Sequence, residues 1–220
     1  MIVIAHRGAS AYFKENTVKA FKEAFAMGAK HMETDVQRSK DGVLVLYHDY
    51  ALPGGQNIKD TSFSELCKFE IPSIEELFSA AEDYSVKINL EIKNDGNLYP
   101  GIEKQLIDFL NSAKNVRKEN LLLSSFDFET LQRVHAIESS IKIGVLTRSF
   151  DVNQPLSINA YGVHMSEKRI NADIIRTCKA NGLKTFVYTV NDCRRARELE
   201  AMGADGVFSD FPDLLSKNMQ

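Results

Sequence analysis

Glu33 and Asp35 stand two residues apart in the β-branched, apolar run His31–Val36, so on a strand both carboxylates point to one face. Like charges held that close call for a cation. Asn89-Leu90-Glu91-Ile92-Lys93 repeats the arrangement, with Glu91 and Lys93 on one face and Leu90 and Ile92 on the other. If these strands line a barrel, their C-terminal ends meet at the mouth where barrel active sites are built. Three convergent carboxylates, with no cysteine and no HExxH pair beside them, suit one hard oxygen-seeking ion, Mg²⁺ or Ca²⁺, with Mn²⁺ as a third candidate. The competing reading is a set of solvated strand-end charges paired with Lys30, Lys87 and Arg38.

Two histidines keep company with these acids. His6-Arg7-Gly8 ends the first apolar run and sets a proton carrier, a fork-shaped anion binder and a turn residue in succession; His48-Asp49 supplies a second imidazole. Phosphodiester cleavage needs such a pair, because one group takes a proton from the attacking oxygen while the other gives one to the leaving oxygen. His31 and His135 read as structural. His164 lies in a late strand and stays open.

The elements that must position these groups alternate. Strand-like runs fall at Ile2–Ala5, His31–Val36, Lys87–Ile92, Leu121–Ser125, Ile141–Leu146, Tyr161–Met165, Thr185–Val190 and Gly206–Phe208. Between the first two, Val18, Phe21 and Phe25 follow helical spacing, with Asn16 as N-cap and Gly28 as stop. Helical patterns recur at Ile74–Tyr84, Ile102–Ala113, Phe128–Ile137, Ala172–Ala180 and Cys193–Met202, whereas Thr147–Ala160, with Pro155, reads as a loop or a single turn. Eight strands with mostly helical crossovers predict an α/β fold, a (β/α)8 TIM-type barrel; a doubly wound open sheet is the alternative. Arg38–Ser73 is the irregular stretch, an insertion of about 38–73 after the second strand. Asp41-Gly42 marks a hairpin turn within it. Pairing about that turn gives partners summing to 83, which sets His48 opposite Asp35 at the barrel mouth.

At 220 residues, 44% hydrophobic and 26% charged, the chain reads as one globular domain over 1–220. A net charge of −3 excludes nucleic-acid binding by bulk attraction, so an anionic substrate must be caught locally. No apolar run nears the ~20 residues of a spanning helix, and no basic segment precedes the short apolar start. Cys67, Cys178 and Cys193 show no metal-ligand spacing and suit reduced thiols. These features predict a cytoplasmic protein without stable membrane association. The oligomeric state is not legible. Phe63, Phe69, Phe78 and Phe109 read as packing residues, not a lipid-binding surface.

The ordered set His6-Arg7-Gly8-Ala9, Glu15-Asn16-Thr17, Glu33-Thr34-Asp35-Val36, Lys40-Asp41-Gly42, His48-Asp49 and Leu90-Glu91-Ile92-Lys93 resembles the glycerophosphodiester phosphodiesterase family. Ile71-Pro72-Ser73, Ser125-Phe126, Thr189-Val190-Asn191 and Gly203-Ala204-Asp205-Gly206 through Pro212 continue the likeness over nearly the whole chain. The resemblance implies a divalent cation on Glu33, Asp35 and Glu91, proton transfer by His6 and His48, and phosphate contacts from Arg7 and Lys93. It implies a small-molecule glycerophosphodiester substrate hydrolysed to glycerol 3-phosphate and an alcohol. Tyr188 stands where the family often has tryptophan and takes the place of a substrate wall; Lys14 replaces a common proline, and Ala51–Asn57 departs from the usual pattern. The rival readings are lysophospholipase D or phospholipase C-like action on lipid phosphodiesters, and a non-catalytic phosphoester-binding barrel. No matched motif pairs a serine, threonine or cysteine with a histidine, which disfavours a covalent enzyme intermediate. Attack by the substrate's own neighbouring hydroxyl, already tethered beside the phosphoester, is the preferred route, and direct attack by metal-bound water is the alternative.

Overall fold

Strands buried on both faces read as near-continuous apolar runs, and here each such run is followed by an element that covers one face. A computed structural model describes residues 1–80, 86–113 and 117–218. Its strands are β1 (Ile2–His6), β2 (His31–Arg38), β3 (Leu44–Leu46), β4 (Lys87–Ile92), β5 (Leu121–Ser125), β6 (Lys142–Thr147), β7 (Gly162–Ser166), β8 (Lys184–Tyr188) and β9 (Gly206–Ser209). All but β3 are parallel, in the order β1-β9-β8-β7-β6-β5-β4-β2, and pairing of Ala5 with Met32 and His6 with Glu33 closes the ring. The fold is a closed TIM-type barrel, and the open-sheet alternative falls.

The helices are α1 (Val18–Ala26), α2 (Phe63–Leu66), α3 (Ile74–Ala80), α4 (Ile102–Ser112), α5 (Phe128–Ile137), α6 (Asn153–Ser157), α7 (Ala172–Ala180), α8 (Cys193–Met202) and α9 (Pro212–Asn218). The single turn expected within Thr147–Ala160 is the five-residue α6. The expected end of α3 at Tyr84 lies outside the described residues. Thr17, not Asn16, caps α1, its hydroxyl accepting from Ala20 N at 3.2 Å. Both are good N-caps; what separates them is a buried tertiary role for Asn16.

Leu90, Leu123, Val163 and Val187 of the strands pack outward against Phe21, Leu106, Leu131 and Leu199 of the helices. Inside the barrel Ile4, Phe186 and Phe208 form a small apolar plug. Between β2 and β4, Val45, Leu52, Ile58, Leu66 and Ile71 make a core of their own that seats the hairpin. Phe78 is buried and Phe63 and Phe109 half-buried, as packing requires, but Phe69 is exposed. Cys178 is buried, Cys67 exposed and Cys193 between the two. No helix among the described residues is long and apolar enough to cross a membrane.

The hairpin register corrects the expected one. Val36 pairs with Leu46, Gln37 with Val45 and Arg38 with Leu44, sums of 82. Gly42 sits at φ +87°, and Ser39 N donates to Val43 O at 2.9 Å, so three residues, Lys40-Asp41-Gly42, form the loop instead of two. Asp35 therefore faces Tyr47, whose N donates to Asp35 O at 3.1 Å. His48 lies one residue beyond the ladder, and the chain turning there carries it into the cavity at the mouth.

Candidate active site

Register alone brings the acids together. Glu33 pairs with His6 of β1 on one side and Asn89 of β4 on the other, and Asp35 pairs with Glu91. One oxygen from each of Glu33, Asp35 and Glu91 lies within 4.8 Å of the others. All three are buried, with 3%, 1% and 9% of their surfaces exposed. Two cations face them. Lys93 Nζ donates to Glu91 Oε1 at 3.0 Å and lies 3.8 Å from Asp35 Oδ1, while Arg7 Nε sits 3.2 Å from Asp35 Oδ2. Lys30, Lys87 and Arg38 do not pair with the trio; Arg38 reaches the Pro100 carbonyl instead.

That balance is one positive charge short. Burial, with the charges of Asp35 and Glu91 behind it, holds the Glu33 carboxyl well above its ordinary range. Burial and Asp35 push Glu91 up to about 7, with Lys93 pulling the other way. Burial works against the Lys93 ammonium, but Glu91 and Asp35 outweigh it and hold the pKa up. Asp35 Oδ1 is buried with no hydrogen-bond partner. An all-oxygen, electron-rich donor set with a bare buried oxygen fits a hard divalent cation.

Asn16, at φ +57°, is 1% exposed and orients this set. Its Nδ2 donates to Asp35 Oδ2 at 2.9 Å, and its Oδ1 accepts from Thr34 Oγ1 at 2.7 Å, which fixes the amide's direction. Arg7, at φ +58°, turns its backbone N to Glu33 Oε2 at 3.0 Å and donates through Nη1 to both Glu15 oxygens at 3.0 Å.

The imidazoles enter from either side. His6 Nδ1 is 2.7 Å from Asp210 Oδ1, and Asp210 also accepts from Ser10 Oγ at 3.0 Å and Asn191 Nδ2 at 2.7 Å. Partial burial would raise the Asp210 pKa, but the hydrogen bonds from His6, Asn191 and Ser10 outweigh it and bring it to about 2. The carboxylate thus fixes Nδ1 as the protonated nitrogen and leaves Nε2 for chemistry. His48 Nδ1 is 2.7 Å from Asp49 Oδ1. Burial lowers the His48 pKa; Arg7 and Lys93 add to this, and Asp35 and Asp49 oppose it.

A cavity of about 390 Å³ opens on both histidines and on Glu33 and Glu91. Its far wall holds Tyr188 and Phe126, in edge contact at 6.1 Å, with Arg148 stacked on Phe126 at 4.4 Å. Burial and the charge of Glu91 push the Tyr188 phenol up to about 12, so it stays neutral. His164 lines the floor, fully buried, with neither ring nitrogen hydrogen-bonded. Burial drops its pKa to about 3, and it nests in the space that Gly144 leaves open.

The profile of the Glycerophosphoryl diester phosphodiesterase family matches residues 6–214. The chain belongs to that family. It is 35% identical to a glycerophosphodiester phosphodiesterase of Caldanaerobacter subterraneus subsp. tengcongensis, over 97% of this chain and 96% of that one. A Bacillus altitudinis glycerophosphodiester phosphodiesterase is 31% identical, over 96% and 95%. Among solved structures, a phosphodiesterase of Oleispira antarctica in complex with the product sn-glycerol-3-phosphate superposes with a TM-score of 0.91 at 27% identity, covering 100% of this chain and 96% of that one. The glycerophosphodiester phosphodiesterase of Thermotoga maritima gives 0.83 at 28%, covering 99% and 97%.

This glycerophosphodiester phosphodiesterase gathers every site residue expected from its sequence, His6, Arg7, Glu33, Asp35, His48, Glu91, Lys93 and Tyr188, around one mouth. Sequence reasoning missed Asp210 and Asn16 as orienting groups, although both stand in quoted motifs. It missed Arg148 and Arg169 altogether, since both lie in loops after β6 and β7 that carry no motif.

Proposed function

We propose that this glycerophosphodiester phosphodiesterase hydrolyses small glycerophosphodiesters to glycerol 3-phosphate and an alcohol, with a divalent cation on Glu33, Asp35 and Glu91 and with His6 and His48 moving the protons. The observation that carries this reading is one cavity onto which two carboxylate-oriented imidazoles open together with Glu33 and Glu91, two members of a cation-deficient buried carboxylate trio completed by Asp35.

Bound there, the cation supplies Lewis-acid polarisation of a phosphate oxygen, worth several kcal/mol. The chain does the rest. Arg7 and Lys93, each already beside Asp35, draw the phosphate to the same edge of the mouth. His6, held by Asp210, takes the proton of the attacking hydroxyl at Nε2, and Asp210 stabilises the imidazolium that forms. His48, whose burial depresses its pKa and makes its cation a stronger acid than an ordinary imidazolium, gives a proton to the departing oxygen. Ser10 Oγ donates to His6 O and Asp210, so it is not poised as a nucleophile. The attacking group is then the substrate's own C2 hydroxyl, tethered beside phosphorus. Its oxygen bonds to phosphorus as the alcohol oxygen leaves, and water reopens the cyclic ester with the histidines exchanging roles. Tyr188, neutral and facing the cavity, serves as a wall for the organic part of the substrate.

The test measures glycerol 3-phosphate release from glycerophosphoethanolamine, with excess EDTA and after readdition of Mg²⁺, Ca²⁺ or Mn²⁺. Loss with chelator and recovery with one ion is expected. Full turnover with the ion shown absent overturns the metal role. Normal cleavage of a substrate lacking the C2 hydroxyl overturns the route of attack.

A further inference from the structure

Around the closed ring β6 stands diametrically opposite β1, and β7 opposite β2. The acids, Arg7, Lys93 and both histidines crowd the β1–β2–β4 side, so whatever a diester carries beyond its phosphate extends toward β6 and β7. There two guanidinium groups line the cavity, Arg148 directly after β6 and Arg169 in the turn after β7.

Their pairing differs from that of every cation on the opposite side. Arg7 and Lys93 are held by carboxylates, whereas among the described residues neither Arg148 nor Arg169 forms an ion pair with an acid. Arg148 stacks on Phe126, and Arg169 Nη1 donates to the Arg148 carbonyl at 3.0 Å, which ties the two loops together. Both charges also bear on the Tyr188 phenol. Phe126 and Tyr188 would otherwise form an aromatic corner for a quaternary ammonium group. The Arg148 cation already lies over Phe126 and repels such a group.

We propose that Arg148 and Arg169 form the head-group end of the cavity and select glycerophosphodiesters whose alcohol carries a negative charge, as a phosphate monoester or a carboxylate. This rests on the hydrolytic reading above and adds its substrate class. Guanidinium forks match both anions. Both arginines are exposed at the rim, so the preference weakens with added salt.

The experiment compares kcat/KM for three diesters: glycerophosphocholine, neutral glycerophosphoglycerol, and glycerophosphoglycerol bearing a terminal phosphate monoester. The wild type is expected to favour the last over the first by at least about tenfold, the effect of one charged hydrogen bond. In Arg148→Ala/Arg169→Ala that ratio falls toward unity, and Arg148→Lys/Arg169→Lys recovers part of it. Equal or better use of the choline ester by the wild type overturns the proposal, as does an unchanged ratio in the alanine variant. Calorimetric titration with the same diesters separates this from the hydrolytic reading. If nothing is cleaved but the phosphate-bearing diester binds and the alanine variant loses it, hydrolysis fails and the head-group site stands. Binding that is absent or blind to charge overturns the site.

Discussion

Asp210 accepts from His6, Ser10 and Asn191, and among the described residues its side chain hydrogen-bonds no other catalytic candidate, so its effect on turnover is expected to pass through the His6 ring. His6→Ala is expected to lose roughly 10²–10⁴-fold in kcat, the usual worth of a general acid or base. Asp210→Asn should lose part of that and no more, with KM nearly unchanged. Its depressed pKa, from an ordinary 3.8 to about 2, means the carboxylate's stabilising contribution is complete above pH 3.8 and is lost only as pH falls toward 2. The deficit of the asparagine variant should therefore be flat across the neutral range, measured as kcat against pH. A deficit that vanishes at high pH would assign Asp210 a different role. The acids and imidazoles were legible as candidates because residue type, and for Glu33 and Asp35 the two-residue spacing on one strand face, points to the chemistry they could do. Asp210 was not, since its partner is 204 positions away and only closure of the barrel brings them together.

Strands were legible for a related reason: apolar runs between helical patterns leave few ways to bury both faces. Their registers were less so. Asp41-Gly42 suits a two-residue turn and a three-residue loop equally, since both place Gly42 at positive φ, and choosing wrongly shifted every cross-strand partner by one. Gly144 of β6 makes a comparable demand that shows only in three dimensions. A Cβ there would overlap the His164 imidazole on the neighbouring β7. Gly144→Ala is expected to cost about 1–3 kcal/mol by overpacking, read from urea midpoints. In a His164→Ala background the same change should cost clearly less. Additive losses would show that the strand, not the ring, resists the methyl.

For the whole molecule, a divalent cation held by the buried carboxylate trio would make stability depend on ions in solution. A divalent cation that binds the folded chain alone should raise Tm by roughly 5–10 °C at a hundred times its Kd, and Asp35→Asn should abolish the shift in a thermal melt. An equal shift in that variant would place the ion elsewhere. His164 adds a pH dependence. Its ring stays neutral in the fold down to about 3, against an ordinary 6.5, so only the unfolded chain takes the proton between those values. Stability from this group is full above pH 6.5 and drains as pH falls toward 3; His164→Asn should flatten that decline in urea midpoints. The ring closure described for β1 has a temporal side as well. During synthesis Glu33, Asp35 and Glu91 leave the ribosome within the first 91 residues, whereas the carboxylate that aims His6 is made more than a hundred residues later. A nascent chain thus carries all three carboxylates of the trio long before the one that orients His6, so the His6 ring is left unaimed until the final strand is made and the barrel closes.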